Sequence, residues 1–67
     1  MLKWTDSLDI AISLDEKFPD FEPLTVNFVD LTKMVMELED FSDNIENVGE
    51  KILEAIQMNW IEEKSWN

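Results

Sequence analysis

The sequence predicts a small all-α domain of helix-turn-helix type, and three observations carry that prediction. Apolar residues recur at helical spacing in three separate stretches, and Pro19, Pro23 and Gly49 are the only punctuation between them. A hydrophobic content of 45%, with 10% aromatic, is enough to build a helical core despite the high charge. One domain spanning 1–67 is expected, because a chain of this length buries only about 60% of the surface its unfolded form exposes. A large internal pocket is not.

The first helix opens at Thr5 or Asp6, both good N-cap residues, with Asp6 and Asp9 where the helix dipole favours negative charge. Ile10, Leu14 and Phe18 form its stripe with Ala11 beside them, and Pro19 ends it. A connector follows in which Leu24, Val26 and Phe28 alternate with polar residues; it reads equally as extended chain or as a short helix after Pro23. The second helix is expected to start at Asp30 as N-cap, since Leu31, Met34, Val35 and Leu38 match the helical template in full. Its outer face holds Thr32, Lys33, Met36, Glu37 and Glu39. A polar loop over 40–47 leads to a third helix, expected from Gly49 to Glu63, with Ile52, Leu53, Ile56 and Trp60 on one side. Residues 64–67 are expected to fray, with Trp66 free to dock.

Charge and composition then remove most functions. Sixteen acids face five lysines for a formal net charge of -11, and the chain contains no arginine, histidine or cysteine. Thiolate and imidazole chemistry, the usual zinc sites and cysteine-ligated clusters are therefore excluded. No basic stripe can form for nucleic acid, so a helix-turn-helix reading meets the wrong sign of charge. No apolar run reaches the roughly 20 residues of a membrane span, and the N-terminus lacks a signal-peptide run, so a cytoplasmic protein is expected.

The acids remain the candidates for function. Asp20, Glu22 and Asp30 precede the second helix, and Glu37, Glu39, Asp40, Asp43 and Glu46 follow along it and into the loop. Composition alone does not choose among a solvated face, a docking surface for a basic partner and a weak site for a hard cation. A calcium loop starting at Asp40 fails, because Ile45 stands where glycine is needed and Lys51 where a bidentate glutamate is needed. Di-iron bundle chemistry fails for want of histidine. Trp4, Phe18, Phe28, Phe41 and Trp60 are expected in the core, whereas Phe21 and Trp66 fit no stripe and read as exposed contact residues. Met36, on the acidic face, reads either as a partner contact or as packing against the first helix.

Several strings together resemble the IscX family, small acidic accessory proteins of bacterial iron-sulfur cluster assembly. They are Leu-Lys-Trp-Thr-Asp (Leu2 to Asp6), Phe-Pro-Asp (Phe18 to Asp20), Pro-x-Thr-Val-x-Phe-x-Asp-Leu (Pro23 to Leu31), Leu-Glu-Asp-Phe (Leu38 to Phe41) and Glu-Lys-Ile-Leu-Glu-Ala-Ile (Glu50 to Ile56), followed by Trp60. The resemblance implies a modified winged-helix fold and a non-enzymatic, monomeric adaptor that binds cysteine desulfurase through its acidic surface. It also implies loose binding of ferrous iron, with no tightly held cofactor. Asp20, Glu22, Asp30, Met36, Glu37, Glu39, Asp40 and Asp43 are the expected partner contacts, and Glu39, Asp40 and Asp43 the expected weak metal ligands. Two alternatives stand beside this reading: an iron-binding or iron-donating module, and an acidic mimic of DNA.

Overall fold

The computed structural model describes residues 1–66, the last of them for its backbone alone. Three α-helices carry the fold: α1 over Ser7–Lys17, α2 over Phe28–Met36 and α3 over Glu50–Trp66, with 3-10 turns at Pro23–Thr25 and Ile45–Asn47. An isolated parallel bridge between Leu2 and Phe41 is the one β pairing among the described residues, and none of them forms a strand. The domain is therefore all-helical.

Helix α1 starts where expected, but Asp6 caps it in an indirect way. Its carboxylate turns back to accept the Lys3 N–H at 2.9 Å and leaves the first-turn amides alone. Phe18 closes the helix by donating its N–H to the Leu14 carbonyl, and at φ -125° and ψ 63° it has left the helical region, which a following proline disfavours.

The connector combines both of its expected forms. Glu22 accepts the Leu24 N–H at 3.1 Å and caps the turn at Pro23–Thr25, after which Val26 is extended and buried. The Gln57 side-chain amide donates to the Pro23 carbonyl at 2.9 Å and so ties this turn to α3.

Helix α2 corrects the expected start by three residues. Asn27, not Asp30, is its N-cap: the Asn27 side chain accepts the Asp30 N–H at 2.8 Å and donates back to the Asp30 carboxylate at 3.1 Å. Asp30 thus occupies the third helical position, where an acid completes a reciprocal cap and meets the positive end of the dipole.

Helix α3 begins at Glu50 and runs on through Trp66, so 64–66 are helical where fraying was expected. Its last described turn is pinned to the end of α1, because the Lys64 ammonium reaches the Asp15 carboxylate at 3.3 Å and donates to the Pro19 carbonyl. Docking of the Trp66 side chain and the placement of Asn67 lie outside the described residues.

The core is Trp4, Ile10, Ala11, Leu14, Val26, Leu31, Val35, Leu38, Leu53, Ile56 and Trp60, and the widest interface in it joins α1 to α3. Phe18, Phe28 and Phe41 pack against it half-buried. Phe21 is a correction: it is not an exposed contact residue but stacks on Trp60, with ring centroids 5.5 Å apart. No stripe predicted this, because the turn after Pro19 folds the ring back across α3.

Candidate functional site

The sign of the surface is set by the excess of acids, and three of the five lysines are tied to backbone carbonyls. Lys3 donates to the Ser42 carbonyl at 2.6 Å, Lys17 to the Glu37 carbonyl at 2.9 Å, and Lys64 to the Pro19 carbonyl and the Asp15 carboxylate. Each of these cations sits on a chain end or a turn. Lys17 meets the C-terminal end of α2, where a positive charge opposes the negative end of the helix dipole. Only Lys33 and Lys51 of the five have no such anchor among the described contacts.

The acids divide into two groups. Glu22, Asp30 and Asp43 have architectural tasks: Glu22 caps the turn at Pro23–Thr25, the Asp30 carboxylate accepts the side-chain amide of the capping Asn27, and Asp43 holds the loop after α2. Glu37, Glu39 and Asp40 are exposed at the end of α2 and in the turn after it. Glu37 and Asp40 are held through their backbones: the Glu37 N–H donates to the Lys33 and Met34 carbonyls, and the Glu37 and Asp40 carbonyls accept from Lys17 Nζ and from the Leu2 N–H respectively. Asp20 is exposed in the turn that follows α1.

Tertiary packing adds residues that the sequence reading missed. Ser13, Glu16 and Lys17 of α1 join Leu38, Glu39 and Asp40 around an open groove of about 390 Å³. Glu16 thereby stands with Glu39 and Asp40, more than twenty residues away in sequence, and no local signal marks it. The wall is polar and shallow. On α2 itself the outward face carries Val29, Lys33 and Met36, with Asp30 and Glu37 along one flank. Met36 is 43% exposed, so packing against α1 does not consume it.

Asp43 illustrates an acid committed to structure. Its two oxygens accept the Trp4 N–H at 3.0 Å, the Asn44 N–H at 2.7 Å and the Asn47 side-chain amide at 2.8 Å, while the Trp4 indole donates to the Asn44 carbonyl. The Asn47 amide, followed by the Trp4 and Asn44 N–H groups, holds this carboxyl below the ordinary value of 3.8, and Lys3 acts in the same direction. A depressed pKa stabilises the fold above that ordinary value and the contribution is lost as pH falls through the lower folded value. Thermal melting below pH 3.8 should therefore fall more steeply for the wild type than for Asp43→Ala; parallel slopes would refute the clamp.

Glu39, Asp40 and Asp43 do not form a preorganised metal site. Among the described residues no three carboxylates converge in a way that would hold a metal ion, and the Asp43 oxygens are engaged by N–H donors. No described helix is long and apolar enough to cross a membrane.

Fold and surface together define a small acidic all-helical domain whose carboxylates lie on open surface around the end of α2. Residues 2–65 match the family described as iron-sulphur cluster assembly, and the chain belongs to that family. An uncharacterised protein of Pseudomonas aeruginosa is 60% identical over 63 residues, which cover 94% of this chain and 96% of that protein. The IscX resemblance read from the sequence strings is borne out at the level of the family, which serves cluster assembly.

Proposed function

We propose that this protein is a non-enzymatic, cytoplasmic adaptor of cluster assembly that acts as a monomer. Its acidic surface at the end of α2 docks on a basic patch of cysteine desulfurase and changes sulfur delivery. One observation supports this reading above the others: Glu37, Glu39 and Asp40 are exposed close together, Glu16 joins Glu39 and Asp40 at the groove, and these carboxylates outnumber the one ammonium beside them, that of Lys17. The local field is left negative, and a negative surface steers a basic protein patch toward it.

Ferrous iron has no fixed site in this reading. Exposed carboxylates and water would hold it weakly and exchangeably, and no step of the adaptor role passes through it.

A contact of this kind is sensitive to salt, since exposed charges are screened beyond about 10 Å at 0.1 M ionic strength. Calorimetric titration into the desulfurase should show Kd rising at least about tenfold between low and high salt. An affinity that does not change with salt would overturn the electrostatic docking surface.

A further inference from the structure

The outward face of α2 is not uniformly charged. Val29 is 66% exposed and Met36 43% exposed, and seven residues separate them, which is about two helical turns or 10.5 Å along one face. Both positions run against what a free helix end prefers. Val29 is a β-branched residue in the first turn, where an acid would meet the dipole, and Met36 is the last helical residue, where a cation would. The helix dipole accounts for neither choice, and helix propensity does not account for the β-branched Val29. Departures of this kind concentrate where a surface serves something other than its own fold.

We infer that Val29 and Met36 form the apolar centre of the partner contact and receive an apolar side chain set within the partner's basic patch. This inference rests on the adaptor reading above. Asp30 and Glu37 flank the two residues and outnumber Lys33, the one cation on the same face, and the chain as a whole carries -11, so the occupant that complements the face is a basic protein surface. A second copy of this chain would bring another charge of -11 against the same acids, and an anionic membrane or nucleic acid meets the same repulsion. In this arrangement the carboxylates govern approach, while the two apolar residues govern how long the complex lasts. Met36 has an adaptable thioether suited to an irregular apolar partner surface.

Val29→Ser combined with Met36→Ser tests this by calorimetry against the desulfurase at low and high salt, with Leu8→Ser as the control. Leu8 is an equally exposed apolar residue on α1, away from this face. The double variant should lose about tenfold in affinity by a similar factor at both salt concentrations, because apolar burial is not screened, while the control binds normally. Circular dichroism should be unchanged, since both side chains point outward. Wild-type affinity in the double variant, with binding still abolished by charge reversal at Glu37, Glu39 and Asp40, would overturn this inference and leave the adaptor reading standing. Binding that survives both sets of substitutions would overturn the two together. A concentration-dependent dimer in sedimentation that the double variant dissolves would also overturn it, by assigning the face to a second copy.

Discussion

Trp60→Ala should cost about 3–5 kcal/mol and bring the domain close to unfolding at room temperature. Trp60 is fully buried on α3, stacks on Phe21 at 5.5 Å and approaches the Asp15 carboxylate through its indole N–H at 3.4 Å. Removing the ring opens a cavity under the widest helix interface and strips Phe21 of its packing partner. A domain of this length holds about 3–10 kcal/mol in total, so the loss is a large part of the whole. Trp60→Phe keeps a ring against Phe21 and gives up only the indole N–H and some volume, so its cost should be nearer 1 kcal/mol. Urea unfolding followed by far-ultraviolet circular dichroism measures both. A Trp60→Ala midpoint within error of wild type would show that the core does not depend on this ring.

Reversing Glu37, Glu39 and Asp40 together to lysine should abolish detectable binding to the desulfurase while the helices remain intact. Three reversals move the net charge from -11 to -5 and place cations where a basic partner would approach. Like charges set against each other across an interface cost several kcal/mol, so Kd should rise roughly 100-fold or more. The fold should tolerate the change because the three side chains are exposed, and Glu37 and Asp40 are held through backbone groups that lysine retains. Unchanged affinity with unchanged circular dichroism would move the docking surface elsewhere on the molecule.

These two experiments probe features of different legibility. Trp60 was readable as core from its place on the Ile52, Leu53, Ile56 stripe, because a helical period needs only local sequence to show itself. Its partner Phe21 was not, since the stack joins residues almost forty positions apart. The start of α2 was misplaced because Asn27 and Asp30 are both competent caps, three residues apart, and each fits the stripe that follows. The C-terminal turn of α3 was read as fraying because its anchors, Asp15 and the Pro19 carbonyl, belong to the end of α1.

The candidate site divides in the same way. Exposure of Glu37, Glu39 and Asp40 follows from their place beyond the apolar stripe of α2, and it was legible. The diversion of Glu22 into a cap, of Asp30 into a brace on the capping Asn27 and of Asp43 into a loop clamp was not, because a carboxylate's sequence position does not tell which N–H group it meets. Glu16 joins the acidic surface only through the packing of α1 against the turn after α2.

By itself the sequence determined the helical class, the core stripes, the family and the sign of the charge, all of which depend on residue type and short-range period. Tertiary structure alone decided which acids are free to face a partner. Hydrogen bonds act at a few ångströms in space, and only the folded chain brings the Trp4 N–H to Asp43, Lys17 to the end of α2, and Glu16 to Glu39 and Asp40.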